Sequence, residues 1–395
     1  MKIVFVISHL TVFVGAGKFL MDYANKFCEK GHSITIVTQK IDRDKYQFNN
    51  EILLIEVGGP LPSNPFYWLK FRKIKKKFLN VLNNLDSKLF ISLNFPSNYF
   101  CANIDGRNSL KHIYYCLEPY RFFHDKRFYS NAPFFLKNIS RFLRFYFKKY
   151  DIEGTMDADE TICISKFTRN RVKEFYNMDC LLHYIGIPIT ENDINGRKDL
   201  EIKNILKLHR EIPIIFTLGL SHHFKGAKEL IIIFSKILKQ IPEAILLIGG
   251  WIIKENKLII KQYIKKLKIP SANIVFYGFI KNNLLKDFYS QSTLTFYTAL
   301  DESFGLIPLE SMKNGTPVIA FEGGPSETIL DGQNGYIIKN EDFNAFAQKA
   351  IKLIRDKTLY ERFSKNSVEY IKKNWSFDKS FLDLEAMFKR ISSEN

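Results

Sequence analysis

Short apolar runs alternate along the chain with longer stretches in which apolar residues recur every three or four positions. The first run, IVFVI from Ile3 to Ile7, is β-branched and aromatic, which is the pattern of a buried strand. A glycine-bearing loop follows. GKFLMDYANKFCEKG then sets Phe19, Tyr23 and Phe27 at helical spacing, and Gly31 stands where a left-handed residue ends a helix. SITIVT is the next strand, completing a β-loop-α-β unit, the building block of a parallel sheet covered by helices. EILLIEV, KLFISL, HIYYC and ETICI continue the series, with Ser165 as N-cap of a helix over KFTRNRVKEFY.

Polarity rises from Thr190 to Lys207, a stretch we read as a linker. A second series follows: IPIIFTLG, a helix from about Gly226, then AILLIGG, NIVFYG, TLTFYT, TPVIAF and GYIIK. The pattern predicts an α/β fold of two doubly wound parallel-sheet, Rossmann-like domains, residues 1–195 and 208–377, facing a central cleft. Ligands of such sheets sit beyond the carboxyl ends of the strands.

A length of 395 residues agrees with two domains. The net charge of +17 favours anionic partners: nucleic acid, an anionic membrane surface or phosphorylated ligands. No nucleic-acid-binding motif is present, so nucleic acid is set aside. Cys28, Cys101, Cys116, Cys163 and Cys180 form no CxxC pair, and the expectation is buried, reduced thiols in a cytoplasmic protein. The opening MKIVFVISHL has too short an apolar run for a signal peptide, and no run reaches the ~18 residues of a membrane span.

Candidate chemistry concentrates in DESFGLIPLESMKNGTPVIAFEGGPSE, from Asp301 to Glu327. Ser303-Phe304-Gly305 leads into a helix over LIPLESMKN, with Pro308 in its first turn and Gly315 and Pro317 at its end. The free N–H groups of a helix start attract phosphate, and Gly305 lets a ligand approach the backbone. Glu302 and Glu310 would repel phosphate but accept hydrogen bonds from hydroxyls. Together these suit a diphosphate flanked by two polyhydroxylated rings, the shape of a nucleotide-sugar.

ESFGLIPLE resembles the Glu-x7-Glu motif of the family 4 retaining glycosyltransferases, which have the GT-B fold, and the likeness continues through SMKNGTPVIAFEGGPSETILDGQNGYII. It implies that Glu302 contacts the donor sugar, Glu310 holds the nucleotide ribose, and the amides of Gly305 and Leu306 meet the diphosphate. Gly323, Gly324 and Glu327 then lie on the donor side. LGLSHHFKGAKELI resembles the family's diphosphate clamp in Gly219, Lys225 and Gly226, with Leu220 in the arginine position and His222 and His223 nearby. FVGAGKFL resembles its glycine-rich first loop in Gly15 and Gly17, with Val14 in place of a glycine. HIYYCLEPYR resembles a Cys-His-Glu-Pro stretch in Glu118 and Pro119, with Leu117 where the histidine stands; Arg121 and His124 follow.

The resemblance implies a retaining, metal-independent transferase with catalytic roles for Glu302, Lys225 and Glu118. It needs no cofactor beyond a nucleotide diphosphate-sugar as co-substrate, and its acceptor is a glycan or lipid-linked hydroxyl. WSFDKSFLDLEAMFKRI resembles the family's last helices, which implies that the chain from about Asp378 returns to the N-terminal domain. Two rivals stay open: a nucleotide-sugar epimerase of the same fold, and a weakly active, membrane-bound sugar-binding protein.

Residues 60–150 hold 17 Lys or Arg against 4 Asp or Glu. In FFLKNISRFLRFYFKKY, Phe135, Ile139, Phe142 and Tyr146 share one stripe, while Lys137, Arg141, Arg144 and Lys148 fall on nearly the opposite face, flanked by Phe134, Phe145 and Phe147. A basic amphipathic helix of this kind suits a peripheral position on an anionic membrane, with Lys137, Arg141, Arg144, Lys148 and Phe145 in contact. The alternative is a helix packed on its own sheet with a solvated basic face. WLKFRKIKKKFL has a similar character, with Phe71, Ile74 and Phe78 on one stripe.

Overall fold

The computed structural model describes residues 1–12, 15–62, 64, 66–125, 134–189 and 212–393, without the side chains of 134–139 and 223. The expected linker from Thr190 to Lys207, Val14 and the side chains of Phe134, Phe135, Lys137, Ile139 and His223 lie outside the described residues. The chain divides into two compact units. One joins Met1–Ile185 to Asp378–Asn395, and the other is Gly186–Phe377.

The first unit runs β1 (Lys2–Ile7), α1 (Gly15–Glu29), β2 (Ser33–Thr38), β3 (Leu53–Glu56), α2 (Phe71–Leu82), β4 (Leu89–Leu93), α3 (Ser97–Cys101), β5 (Lys111–Cys116), α4 (Arg121–His124), α5 (Phe134–Met156), β6 (Glu160–Cys163), α6 (Lys166–Tyr176) and β7 (Leu181–Leu182). Its seven strands are in the order β3-β2-β1-β4-β5-β6-β7, and their pairings are parallel. β1 and β4 therefore flank the point where the winding reverses. Gly31 takes φ +80°, and the His32 N–H donates to the Phe27 carbonyl at 3.1 Å, closing α1 as the glycine predicts. The Ser165 hydroxyl accepts from the Thr168 N–H at 2.9 Å and caps α6.

The second unit runs β8 (Ile214–Leu218), α7 (Ala227–Leu238), β9 (Ile245–Gly249), α8 (Lys254–Lys266), β10 (Ile274–Gly278), α9 (Leu285–Ser290), β11 (Leu294–Tyr297), α10 (Leu306–Lys313), β12 (Val318–Phe321), α11 (Pro325–Thr328), β13 (Gly335–Ile338), α12 (Phe343–Arg355) and α13 (Lys357–Asn374). Its six parallel strands are ordered β10-β9-β8-β11-β12-β13, so β8 and β11 flank the reversal. Alternate residues of β8 point to opposite faces: Ile215 joins the core under α7, and Ile214 and Phe216 join the one under α9. Burial on both faces explains why β8, β9, β11 and β12 read as largely apolar runs.

The last helix, α14 (Phe377–Ser393), packs on the first unit through Phe381, Leu384, Phe388 and Ile391. Phe388 stacks on Phe27 at 5.4 Å, and the His32 Nε2 lies 2.6 Å from a Glu385 oxygen. A buried polar chain reinforces this face. The Tyr23 hydroxyl meets Ser380 Oγ at 2.6 Å, Ser380 Oγ lies 3.0 Å from His183 Nε2, and His183 Nδ1 lies 2.6 Å from the Tyr115 hydroxyl.

Two expectations need correction. Cys163 and Cys180 form a disulfide; Cys28, Cys101 and Cys116 are free and buried. The parallel pairing of Cys163 with Leu182 brings Cys180, two residues earlier, alongside. This proximity comes from strand pairing, so Cys spacing does not reveal it.

The second correction concerns α5. Its buried face runs through Leu143, Phe147 and Tyr150, packed with Trp68 and Phe71, while Phe142 is 66% and Phe145 86% exposed. Tyr146 is also exposed. Arg144 and Lys148 are half-buried, and Arg144 donates to the Phe123 carbonyl at 2.9 Å, so that pair is not an open basic stripe. In α2, Phe71, Ile74 and Phe78 are buried as their spacing predicts. Among the described residues no helix is long and apolar enough to cross a membrane.

Candidate functional site

The loops after β8 and β11 converge at the carboxyl edge of the second sheet, where its winding reverses. The β8 loop carries Lys225 and the β11 loop carries Glu302. Lys225 Nζ donates to Glu302 Oε2 at 2.6 Å, and both side chains keep only a minor share of their surface exposed. Such a half-shielded pair is less screened by water than a surface pair.

Backbone contacts stitch the two loops together. Leu300 N–H donates to the Phe224 carbonyl at 3.0 Å, and Thr298 Oγ1 donates to the Gly226 carbonyl at 3.1 Å. Gly226 is left-handed, with φ +71°, and a Cβ there would lie 1.9 Å from the Thr298 oxygen. Only glycine permits both the turn and the approach. Lys225 Nζ also lies 5.7 Å from the Tyr297 ring, within cation–π range.

Gly305, at φ +97°, turns the chain into α10, whose first residue is Leu306. Glu310, one turn on, accepts from the buried Tyr289 hydroxyl at 3.2 Å. Burial, reinforced by the Glu310 charge, raises the Tyr289 pKa well above its ordinary value, so the phenol stays a donor. The β12–α11 loop closes over the same place. Gly324 N–H donates to the Glu302 carbonyl at 2.7 Å, and a Cβ on Gly324 would meet the Ser303 carbonyl at 2.3 Å. Gly323 is left-handed, at φ +145°, and Glu327 follows in the first turn of α11. Gly219 ends β8 at φ +71°, its N–H bonded to the Gly249 carbonyl. Leu220 is 1% exposed within the core of the second unit.

Glu302, Gly305, Leu306, Glu310, Gly323, Gly324 and Lys225 thus belong to loops and a helix start at one sheet edge. Gly219 and Glu327 also lie in the second unit, and the remaining site residues lie in the first. Glu118 accepts from Arg121 Nε at 2.7 Å, and Arg121 also reaches Asp125. His124 Nε2 lies 2.8 Å from Asp151, with both side chains fully buried, so its role is in the core. Gly15 opens α1, and Gly17 faces the ring of Tyr46, whose hydroxyl would lie 2.1 Å from an added Cβ. The contacts of Lys225 with Glu302 and of Tyr289 with Glu310 had no signal in the sequence, because each joins segments far apart in the chain.

Residues 198–370, which lie inside the second unit, match the family model for glycosyl transferases group 1. The poly(glycerol-phosphate) alpha-glucosyltransferase of Bacillus subtilis (strain 168) is 30% identical over 154 residues, covering 36% of this chain and 22% of that protein. Alignments with the first curated relatives span 22%, 44% and 63% of those relatives' own lengths. Over the whole chain the likeness is one of fold. Sucrose-phosphate synthase from Thermosynechococcus elongatus superposes with a TM-score of 0.80 at 17% identity, covering 99% of each chain. The Anabaena protein HepE, solved in complex with UDP-glucose, superposes with a TM-score of 0.72 at 15% identity, covering 99% of this chain and 100% of that one. The fold class is GT-B. By sequence, the second unit carries the signature of the group 1 glycosyl transferases.

Proposed function

We propose that the chain is a retaining glycosyltransferase that moves a sugar from a nucleotide diphosphate-sugar to a hydroxyl of a glycan or lipid-linked acceptor. The observation that carries this reading is the Lys225–Glu302 pair at the reversal point of the second sheet, beside the start of α10. The group 1 match over the same segment supports transfer over the epimerase and the binding protein. A relative named for glucosyl transfer to poly(glycerol-phosphate) and a structural neighbour bound to UDP-glucose support the donor and acceptor classes.

In this reading the donor diphosphate sits against the amides of Gly305 and Leu306, where the helix start concentrates partial positive charge. Lys225 turns from Glu302 to the diphosphate and stabilises the charge that develops on the leaving group, an effect of about 3–4 kcal/mol for one well-placed donor. Glu302, released from Lys225, accepts from sugar hydroxyls, and Glu310, steadied by Tyr289, accepts from the ribose. The acceptor hydroxyl attacks on the side the diphosphate leaves, so the anomeric configuration is kept and no nucleophilic carboxylate is required. The two Asp-x-Asp pairs, Asp42 with Asp44 and Asp157 with Asp159, lie in the first unit, where Lys45 pairs with Asp42 and Arg107 with Asp157 and Asp159, so turnover should persist in a chelator. Glu118 is in this reading a positioning group, oriented by Arg121.

The exposed Phe142, Phe145 and Tyr146, with Arg141 and Lys149 between and beside them, form the surface we assign to an anionic membrane. The experiment for the catalytic reading supplies nucleotide-sugars and a glycan or lipid extract, and follows nucleoside diphosphate release and label transfer together. Transfer with retained anomeric configuration supports it. An isomerised donor with no acceptor product points to the epimerase, and neither product points to the binding protein.

A further inference from the structure

The disulfide of the first unit stands where its sheet is thinnest. β7 is the last strand in the order and only two residues long, Leu181 and Leu182 pairing with Ile162 and Cys163 of β6. Cys180 comes directly before it, and the Cys163–Cys180 bond ties that approach to the end of β6. The two cysteines are 17 residues apart, and all of α6 lies between them. Arg169 of α6 also reaches Asp179 at 2.6 Å, but both side chains are largely exposed, and such a pair adds little.

Immediately beyond β7 the chain receives α14. The His183 N–H donates to the Cys163 carbonyl at 2.9 Å, so the residue that carries the bond on β6 also holds the backbone of His183. His183 Nε2 lies 2.8 Å from the Ser380 carbonyl, and Ser380 Oγ donates to the Tyr184 carbonyl at 2.5 Å. Ser380 is in the first turn of α14, and it and His183 are buried. The docking of that turn therefore depends on where His183 and Tyr184 stand, a few residues past Cys180.

Three sulfurs share this corner. Cys116 is level with Cys163 on β5 and joins the same apolar cluster as Cys163 and Cys180. It is a buried thiol, and burial pushes its pKa far above the ordinary value, so it stays protonated and does not attack the bond in the folded chain. The bond is open from outside at Cys180, which keeps 7% of its surface and follows the exposed Asp179, while Cys163 keeps none. A dithiol reductant meets Cys180 Sγ first. Its thiolate bonds to that sulfur, and Cys163 leaves with the electron pair and takes up a proton. The second thiol of the reductant then closes on the first, releasing Cys180 as a thiol. The chain is reduced to two thiols, and the dithiol is oxidised to a cyclic disulfide.

We propose that the Cys163–Cys180 bond is a redox-sensitive latch: oxidised, it fixes β7 and with it the docking of α14 on the first unit; reduced, it lets both loosen. The proposal does not depend on the transferase reading. The test is hydrogen–deuterium exchange on the full chain before and after millimolar dithiothreitol under native conditions, with alkylation of the thiols reporting the state of the bond. Reduction should speed exchange at residues 182–184 and 380–391 by on the order of tenfold, and reoxidation should restore it. Cys180→Ser should exchange fast in both conditions, and Cys116→Ser should respond as the natural chain does. A bond that withstands dithiothreitol in the folded chain would overturn the proposal, as would its reduction with exchange in α14 unchanged, which would make it a staple of β7 alone. Loss of the response in Cys116→Ser would also overturn it, by moving the redox chemistry to that thiol.

Discussion

At the residue scale, the arrangement around Glu302 depends on glycines as much as on charges. Gly324 lies so close to Ser303 that any side chain forces the two loops apart. Gly324→Ala should therefore cost about 1–3 kcal/mol in urea unfolding, as overpacking does, and should weaken UDP-sugar binding in calorimetry. Unchanged binding would mean that the β12–α11 loop does not shape the donor site. The motif itself was legible in the sequence, because Glu302, Gly305, Pro308 and Glu310 are close neighbours whose spacing states a loop and a helix start. The ion pair was not, since Lys225 and Glu302 are 77 residues apart and meet only because β8 and β11 are adjacent. Leu220 in the arginine position was legible, but its place in the core was not.

At the element scale, α14 is held by groups that respond to acid. Burial lowers the His183 pKa to about 4, partly offset by its hydrogen bond to Ser380 and the Asp383 charge. The unfolded imidazole titrates near 6.5, so the unfolded chain binds the extra proton first. This stability is whole above about pH 6.5 and is lost as pH falls toward 4, on the order of 3 kcal/mol. The Glu385 carboxyl is held below its ordinary value by hydrogen bonds from His32 and Lys389, so its contribution also fades in acid, at lower pH. The melting temperature should drop between pH 7 and pH 5 and should drop less in His183→Gln. Equal slopes would remove His183 from the effect. The disulfide makes a separate prediction: alkylation of the denatured, unreduced chain should modify Cys28, Cys101 and Cys116 and spare Cys163 and Cys180. Labelling of all five would mean the bond does not form.

The elements also show where periodicity stops being decisive. Phe142 and Tyr146 are four apart, and so are Leu143 and Phe147, so helical spacing alone allows either stripe to face the core. Trp68 and Phe71 settle it by packing on Phe147. The strands needed less arbitration, because their short β-branched and aromatic runs, bounded by turn residues, are too short for helices.

At the scale of the whole molecule, the parallel order of both sheets and the return of α14 to the first unit define the GT-B class. The basic excess between residues 60 and 150 belongs to the first unit, which also exposes Phe142 and Phe145. Phe142→Ser with Phe145→Ser and Arg141→Ser should weaken binding to phosphatidylserine vesicles by tenfold or more, since each buried aromatic and each cation contributes about 1 kcal/mol or above. Undiminished sedimentation with vesicles would make this face merely solvated.

The most direct measurement compares the natural chain with Glu302→Gln in nucleotide-sugar turnover with a glycan or lipid acceptor, checking by circular dichroism that both are folded. Glu302→Gln keeps the size of the side chain and removes the charge that pairs with Lys225. A loss of roughly a hundredfold or more in transfer, with the melting curve little changed, is the predicted result. Equal rates in the two proteins would contradict it.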